Sequence, residues 1–296
     1  MASPLNALSF DVEDYFQVSA FNDAIRRDSW DQHRLRVSRN TEVLLELLDR
    51  HGVKATFYTL GWIAERAPEL VRAIAAAGHE VASHGYSHKL VYHQTRNEFR
   101  DETRRTRALL EDLAGQPVTS YRAASYSITE ASLWALEILQ EEGFTTDSSI
   151  FPIAHDRYGL MGGPLEPHYL ALRNGARLLE FPISTLRRGG LNLPVSGGGY
   201  FRIYPYAMSR YLARQVNAEG RPFVFYLHPW EVDPDQPRVS VGALARFRHY
   251  TNLARTHARL DRLLQDFRFT TVSDCLREHY GHEPELRLHD YHRRAA

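Results

Sequence analysis

The sequence predicts an α/β fold in which parallel strands form a closed or nearly closed barrel inside a layer of helices. The first observation is that strand-like and helix-like segments alternate from the start of the 296-residue chain. The second is their number, because seven or eight such units fit a barrel, which leaves no strand edges, better than an open sheet. The third is that no repeat, low-complexity tract or linker divides the chain, and barrels of this length are ordinarily one domain.

The predicted strands are short, apolar segments that alternate with the helical segments. They cover residues 5–10, 54–60, 79–83, 119–122, 144–147, 178–182, 222–228 and 269–272. The segment at 222–228 (PFVFYLH) has the strongest strand propensity, because it is rich in aromatic and β-branched residues.

Helices are predicted where apolar residues recur every three to four positions. They cover residues 41–51, 68–77, 97–114, 130–142, 205–218 and 241–267. Glycines at positions 52, 78 and 143 directly follow three of these helices, where a left-handed residue commonly ends a helix. Residues 150–176 are irregular and rich in Gly and Pro, and a loop of that length usually covers or builds a site.

The composition excludes several classes of partner. The chain carries 36 Lys and Arg against 36 Asp and Glu, so no basic surface for nucleic acid or anionic lipid is expected. No apolar run approaches the ~18 residues of a membrane span. The first residues lack the pattern of a secretory signal, and the expected location is therefore cytoplasmic. The single cysteine, Cys275, excludes an intrachain disulfide framework and is predicted to lie in the core. The sequence leaves the oligomeric state open.

The most informative pattern is a set of ionisable residues at the ends of predicted strands. In a barrel of this kind the active site lies at the C-terminal ends of the strands. A strand end that points into solvent needs no ionisable residue. Five strands end at such a residue: Asp11, His84, Arg122, Asp147 and His228.

Candidate metal ligands lie at two of these strand ends. His84 and His88 have i, i+4 spacing, from which two ring nitrogens can converge on one ion, and the alternative is two surface histidines on a loop. The acidic run DVED at residues 11–14 holds three carboxylates, which repel one another unless a cation or an arginine offsets them. The alternative interpretation of this run is a turn with a helix N-cap.

His228 is a candidate proton donor. A lone histidine at the end of an apolar strand is more often a satisfied core residue. If it faces the barrel mouth near Asp147, that carboxylate would hold its tautomer, raise its pKa and let it protonate a leaving group. Trp230 beside it offers a flat face for a sugar ring, although a packed tryptophan is an equal alternative.

Five motifs, in their order along the chain, resemble those of the NodB-homology polysaccharide deacetylases, carbohydrate esterase family four. They are SFDVED (9–14), HGYSH (84–88), YRAASYSIT (121–129), DSSIFP (147–152) and LHPWE (227–231). With GGGYF at 197–201 and HPWEVDP at 228–234, they look closest to deacetylases associated with bacterial exopolysaccharide and exosortase gene clusters. The resemblance implies a distorted (β/α) barrel of about seven parallel strands with outer helices. It also implies a single catalytic domain, with the barrel over 1–232 and an extension over 233–296 packed on it.

The resemblance implies a role for each motif residue. Asp11 resembles the catalytic base, Arg122 the arginine that orients it, and His228 the catalytic acid. Asp147 resembles the carboxylate that supports this acid, and His84 and His88 resemble metal ligands.

Two positions depart from the family pattern. Most members have adjacent aspartates in the first motif, the second of which binds metal, whereas here Val12 follows Asp11. That leaves Asp14 or Glu13 as the third metal ligand, and Asp14 is preferred because its residue type matches. Ala124 stands where proline is usual, which loosens that loop without removing a functional group.

The implied function is a metal-dependent hydrolase that removes N-acetyl groups from an amino-sugar polysaccharide or its precursor and releases acetate. Zn²⁺ is the expected ion, with Co²⁺ or Ni²⁺ as alternatives. Ser125, Tyr126 and Trp230 are the implied substrate-binding residues, Ser125 through its backbone N–H. Two alternatives stay open: an allantoinase-like amidohydrolase that opens a small ureide or amide without needing metal, and a glycan-binding module that keeps the cleft without the chemistry.

Overall fold

One large sheet carries most of the strands of this protein. The computed structural model describes residues 4–155, 158–281 and 286–291. The strands are β1 (Leu5–Val12), β2 (Thr56–Thr59), β3 (Glu80–Ser83), β4 (Ser120–Tyr121), β5 (Thr146–Asp147), β6 (His168–Ala171), β7 (Arg177–Glu180), β8 (Thr185–Arg188), β9 (Leu191–Pro194), β10 (Val224–Leu227), β11 (Arg268–Thr270) and β12 (Leu288–His289). The sheet order is β10-β1-β2-β3-β4-β5-β7-β6-β12, with β11 also paired to β1, while β8 and β9 form a separate hairpin.

Helices surround this sheet. They are α1 (Val37–Arg50), α2 (Gly61–Arg66), α3 (Pro68–Ala76), α4 (Arg96–Ala114), α5 (Trp134–Glu141), α6 (Gly198–Ile203), α7 (Tyr206–Ala218), α8 (Ala243–Tyr250), α9 (Leu253–Asp266) and α10 (Val272–Tyr280). Their inward faces are apolar; in α1, for example, Leu44, Leu47 and Leu48 are fully buried. None of the helices in the described ranges is both long and apolar enough to cross a membrane.

The strands from β10 through β5 to β7 are parallel, which confirms the predicted barrel-like α/β fold. Strand β1 is central, and Ala7, Leu8 and Phe10 are completely buried in it, as expected for a strand covered on both faces. The two ends of the parallel run approach each other, since the Val224 N–H in β10 donates to Ser184 Oγ just after β7 (2.9 Å). The sheet therefore curves into a distorted barrel whose strands end at one mouth.

Several short elements, among them α2, α6, α10 and the β8–β9 hairpin, were not predicted, and two long predicted segments also differ in the structure. Within the predicted loop 150–176, β6 pairs antiparallel with β7, so the expectation of an irregular segment throughout was wrong. The predicted helix 241–267 is broken into α8 and α9, because Asn252 adopts a left-handed conformation (φ 57°) and its Nδ2 donates to the Arg202 carbonyl (2.7 Å). Cys275 is fully buried in α10, as predicted, and burial raises the pKa of its thiol.

Candidate active site

A cavity of about 150 Å³ opens at the barrel mouth, where the strands end. Four of the five predicted strand-end residues meet at or directly behind it; Asp147 is the exception. The residues that line this catalytic pocket include Asp11, Glu13, His84, His88, Ser125, Tyr126 and His228.

Asp11 is held by a buried arginine. Arg122 Nη1 donates to Asp11 Oδ1 (2.7 Å) and to Ser9 Oγ (2.8 Å), and its other nitrogens donate to the backbone and hydroxyl of Ser148. Burial disfavours the charged guanidinium, but Asp11 and nearby tyrosines more than offset it, so the pKa of Arg122 lies above its usual value. One carboxylate oxygen of Asp11, Oδ1, is thus hydrogen-bonded to Arg122. The other, Asp11 Oδ2, lies 4.0 Å from His228 Nε2.

Glu13, His84 and His88 form a buried cluster with the chemistry of a metal site. Each offers one ligand atom, and these atoms all lie within 4.8 Å of one another. His88 Nε2 lies 2.7 Å from Glu13 Oε2. Burial raises the pKa of Glu13, but His88 and His228 lower it by more, so the pKa falls below its usual range and the carboxylate is charged.

The tautomer of His84 suits a metal ligand. Its Nδ1 lies 2.8 Å from the Arg122 carbonyl oxygen, which only accepts, so Nδ1 carries the proton. Burial lowers the pKa of His84 to about 4, so the ring is neutral at pH 7 and Nε2 keeps its lone pair. Metal-binding histidines characteristically donate their second nitrogen to a carbonyl or carboxylate in this way.

Asp14, the preferred third metal ligand, is not in this cluster, and that preference was wrong. Its Oδ1 accepts from the Tyr15 N–H (2.8 Å), and its Oδ2 accepts from the N–H groups of Arg36 (2.6 Å) and Val37 (2.9 Å). A tight turn in which the Glu13 N–H donates to the Asp11 carbonyl separates the two acidic side chains. Glu13, the alternative ligand, faces the histidines, and the N-cap interpretation is correct for Asp14, whose N–H in turn donates to Gln17 Oε1.

His228 is placed and charged as a proton donor requires. Its Nε2 faces the catalytic pocket, 3.5 Å from Glu13 Oε1, and its Nδ1 donates to Glu231 Oε1 (2.7 Å). Burial lowers the pKa of His228, but the carboxylates of Glu13, Glu231 and Asp11 outweigh this effect and raise it to about 9. The imidazole is therefore protonated at neutral pH.

Glu231 is the supporting carboxylate that the sequence analysis did not assign. It is completely buried, and its Oε2 accepts from Arg202 Nε (2.5 Å). The remaining Arg202 nitrogens donate to the carbonyls of residues 248, 249 and 251, so the guanidinium is fixed. The signal was present in LHPWE, since a short helical turn after β10 brings residues three apart together.

Asp147 does not support His228, and the predicted role was wrong because Glu231 occupies that position. Asp147 is buried beside Glu180, and it accepts from Ser149 Oγ (2.6 Å), which in turn accepts from the Ala123 N–H (2.8 Å). Burial raises the pKa of both carboxyl groups, most strongly that of Glu180, so the pair shares a proton. Through Ser149 this pair holds the loop that follows Arg122.

The shared proton predicts a pH-dependent stability. A carboxyl group whose folded-state pKa is raised stabilises the fold below its unfolded pKa, and this stability is lost as pH rises through the folded value. For Glu180 the loss begins above the ordinary value of 4.5. Glu180→Gln should flatten this decline in melting temperature between pH 5 and 8, whereas Glu46→Gln, on the exposed face of α1, should leave the wild-type slope. An unchanged slope in Glu180→Gln would contradict a shared proton.

Of the three predicted substrate-binding residues, two line the pocket and the third, Trp230, is buried. Ser125 and Tyr126 line the catalytic pocket in consecutive left-handed conformations (φ 50° and 54°), a strained backbone that is typical of functional loops. Trp230 is 4% exposed, stacks on His228 and His249, and donates from Nε1 to Glu13 Oε1 (3.1 Å). Its ring is therefore occupied, and the expectation of a free face for a sugar was wrong.

Two family models match the chain. A polysaccharide deacetylase model matches residues 21–145, and a domain of unknown function (DUF3473) matches residues 148–277. The first segment holds His84, His88 and Arg122, and the second holds His228 and Glu231. The candidate site is thus assembled from both segments and from β1, which precedes them.

Curated relatives share part of the sequence. A peptidoglycan-N-acetylglucosamine deacetylase from Bacillus cereus is 38% identical over 98 residues, 33% of this chain and 36% of the relative. A peptidoglycan deacetylase from Helicobacter pylori is 32% identical over 140 residues (47% and 43%), and a chitooligosaccharide deacetylase from Bradyrhizobium is 30% identical over 99 residues (33% and 43%). The matches therefore span less than half the length of these relatives.

Solved structures share the fold. A putative polysaccharide deacetylase from Mycobacterium smegmatis superposes with a TM-score of 0.58 at 21% identity, covering 94% of this chain and 93% of the other. The Puue allantoinase superposes with a TM-score of 0.60 at 16% identity, covering 94% and 90%. At these identities the superpositions establish the fold alone. Several of the motif residues thus meet at one barrel mouth in a chain whose residues 21–145 match the polysaccharide deacetylase family model, and this segment is joined to a second one, residues 148–277, that matches a domain of unknown function.

Proposed function

We propose that this protein is a metal-dependent hydrolase that removes N-acetyl groups from an amino-sugar polysaccharide or its precursor and releases acetate. The observation that carries the proposal is the catalytic pocket itself. It combines a metal-type cluster, a carboxylate held by a buried arginine and a protonated histidine within one small cavity. A site that only binds a glycan needs neither a base nor an acid.

The names of the relatives support the reaction class. The Bacillus cereus protein is a peptidoglycan-N-acetylglucosamine deacetylase, and the Bradyrhizobium protein is a chitooligosaccharide deacetylase. We extend N-deacetylation to this chain because four of its motif residues, Asp11, His84, His88 and His228, line one pocket. Its resemblance to the exopolysaccharide-associated subgroup favours an exopolysaccharide, or a precursor of one, as the substrate.

The cluster at the pocket fits a divalent cation. Glu13 Oε2 is buried and makes no well-formed hydrogen bond in the described structure, while His88 Nε2 lies 2.7 Å from it, so two ligand atoms face each other at a distance that a shared ligand would explain. Two imidazole nitrogens and one carboxylate oxygen suit Zn²⁺, with Co²⁺ and Ni²⁺ as related candidates. Glu13, His84 and His88 would hold the ion. When bound, it would polarise the acetamide carbonyl and lower the pKa of a water molecule.

The chain's own residues supply the proton transfers. Asp11 accepts a proton from the attacking water, and Arg122 holds its carboxylate in place. The oxygen of that water forms a bond to the acetyl carbon, and the bond from this carbon to the sugar nitrogen breaks. His228 delivers its Nε2 proton to the departing nitrogen, which leaves as an amine, and the products are acetate and an amino sugar. Ser125 and Tyr126 border the place where the acetamide sits.

Glu231 helps to set the highest pH at which the proposed mechanism can operate. His228 must be protonated to act as an acid, so activity is present below its pKa and is lost as pH rises through about 9. Glu231→Gln removes one of the charges that raise this pKa, and the alkaline limb of the kcat profile should move to lower pH. Glu137→Gln, in α5 outside the site, should leave the limb unchanged. An unmoved limb in Glu231→Gln would show that Glu231 does not tune the proton donor.

The decisive experiment measures acetate release from a panel of N-acetylated glycans after chelation and after addition of Zn²⁺, Co²⁺ or Ni²⁺. We expect activity to be lost on chelation and restored by at least one of these ions. Allantoin serves as the competing substrate, and full turnover of this small ureide without metal would favour the allantoinase-like alternative. Glycan binding without acetate release at any metal loading would favour a binding module.

A further inference from the structure

Trp230 contacts both the proposed metal ligand Glu13 and the proton donor His228, yet it takes no part in the proton transfers. Its indole Nε1 donates to Glu13 Oε1 (3.1 Å), although the two residues are 217 positions apart in the chain. Its ring stacks on His228 (centroids 5.1 Å apart, 20° between planes) and on His249 (4.1 Å, 13°). Because the buried ring is not available to a sugar, the role of Trp230 lies in what its N–H binds.

The indole N–H gives the two oxygens of Glu13 different partners. An indole nitrogen only donates, so Glu13 Oε1 is the acceptor of this hydrogen bond. His228 Nε2 also lies on the side of Oε1, at 3.5 Å. Glu13 Oε2 is left to face the histidine cluster, where His88 Nε2 lies 2.7 Å away. One carboxylate oxygen is therefore engaged by the protein, and the other is directed at the candidate cation site.

A glutamate in this position requires such a restraint. Its side chain has one rotatable bond more than that of an aspartate, and its terminal torsion is broad, so a free carboxylate samples many orientations. Glu13 follows β1 in a tight turn, in which its N–H donates to the Asp11 carbonyl (3.0 Å). This contact fixes the backbone but not the carboxylate. The Trp230 N–H supplies the missing restraint, and a ligand that is ordered in advance loses less entropy when it binds.

Trp230 is itself held rigidly by the segment that matches a domain of unknown function. Its carbonyl accepts from Gln236 Nε2 (2.8 Å), and Gln236 Oε1 lies 2.6 Å from Nε2 of His249, on which the indole stacks. The guanidinium carbon of Arg202 lies 5.3 Å from the centroid of the indole ring. Since Trp230, His249 and Arg202 are all buried, the N–H cannot turn away from Glu13 without repacking this region.

We propose that Trp230 is a positioning residue of the metal site, whose N–H fixes the Glu13 carboxylate so that Oε2 points toward an ion shared with His84 and His88. Groups that hydrogen-bond to a metal ligand commonly orient it in this way, and their loss lowers metal affinity. The inference rests on the proposed function, because it takes a cation at this cluster as given, and it deepens that function. It gives the segment of unknown function a part in binding the metal.

The test is the affinity of the protein for Zn²⁺, measured without turnover by competition with a chelator of known affinity. Trp230→Phe keeps an aromatic ring next to His228 but lacks the N–H. We expect it to bind Zn²⁺ about tenfold more weakly than the wild type, the lower end of the effect of such residues. Trp134→Phe, in α5 outside the catalytic pocket, is the matched control and should bind Zn²⁺ like the wild type. Equal affinity of Trp230→Phe and the wild type would overturn the inference.

A double-substitution cycle separates positioning of the carboxylate from general damage to the pocket. If Trp230 acts through the Glu13 carboxylate, Trp230→Phe should have little further effect on Zn²⁺ affinity in a Glu13→Gln background. A purely structural role of Trp230 predicts instead that the two effects add. Full additivity would therefore contradict a positioning role.

A measurement on the wild-type protein keeps the inference testable if Trp230→Phe does not fold. The chain has four tryptophans, so an isotope-labelled sample gives four indole N–H signals in its NMR spectrum. Replacing Trp30, Trp62 and Trp134 by phenylalanine, one at a time, identifies the Trp230 signal by elimination. This signal should shift more than the other three when Zn²⁺ binds, and it should also shift in metal-free Glu13→Gln. A Trp230 signal that moves in neither case would refute the proposed role.

These outcomes separate the inference from the proposed function. If Trp230→Phe weakens Zn²⁺ binding while no N-acetylated glycan releases acetate, the proposed deacetylation fails and the role of Trp230 stands. If acetate release depends on metal but Trp230→Phe binds Zn²⁺ like the wild type, the function stands and the inference fails. If the wild type binds none of Zn²⁺, Co²⁺ and Ni²⁺, both the metal dependence and the inference fail.

Discussion

Asp11→Asn is expected to lower kcat for acetate release by about 10²–10⁴-fold, the range that a positioned general base contributes. Asparagine has nearly the same shape and can still accept a hydrogen bond from Arg122 Nη1 through its side-chain oxygen. It cannot take a proton from water. The substitution therefore removes the proposed chemical step while it preserves most of the packing around it.

Stability must be measured alongside activity, because Asp11 is the charged partner of a fully buried arginine. Breaking a buried ion pair by removing one partner typically costs ~3–5 kcal/mol, so a lower melting temperature is expected in this variant. Rates are therefore compared below the melting transition of the variant. Asp101→Asn, on the exposed surface of α4, is the control for an ordinary aspartate substitution. A folded Asp11→Asn protein with near-wild-type kcat would exclude Asp11 as the base.

Much of the site was predictable because it depends on strand periodicity. Apolar runs place the ends of β1, β3, β4 and β10 at one mouth, and the sequence alone therefore brought Asp11, His84, Arg122 and His228 together. The interruption between α8 and α9 was not predictable in the same way. It depends on a contact between Asn252 and the backbone of Arg202, 50 residues away, which no local pattern reveals.

The two misassigned carboxylates have a common physical cause. Family likeness indicated that a carboxylate supports His228, and the sequence offered Asp147 at a neighbouring strand end. The structure supplies Glu231 through a turn of only three residues, and it buries Asp147 beside Glu180. Which side chain enters a pocket depends on turn geometry, and turn geometry is less visible in sequence than strand periodicity.

The acidic run DVED (residues 11–14) is the clearest case in which turn geometry decides which carboxylate enters the pocket. It also gives the second prediction with a large expected effect. Glu13→Gln is expected to weaken binding of Zn²⁺ by at least about 100-fold, because even residues one step removed from a metal commonly change its affinity by ~10–100-fold. Glutamine keeps the size of the side chain and an oxygen that can still accept from Trp230 Nε1. It removes the negative charge that faces His84 and His88. Titration calorimetry with Zn²⁺, or the visible spectrum of the Co²⁺ form, measures the loss directly.

Asp14→Asn is the matched control, since Asp14 is the neighbouring carboxylate that residue type alone would favour as the ligand. Both of its oxygens accept backbone N–H groups, so its replacement should leave metal affinity close to that of the wild type. It should instead lower the free energy of unfolding by about 0.5–2 kcal/mol, the usual effect of losing a helix cap. If Asp14→Asn weakened Zn²⁺ binding while Glu13→Gln did not, the ligand would be Asp14. The turn at the end of β1 would then differ from the one described here, because the Asp14 carboxylate cannot cap the backbone at residues 15, 36 and 37 and also enter the catalytic pocket.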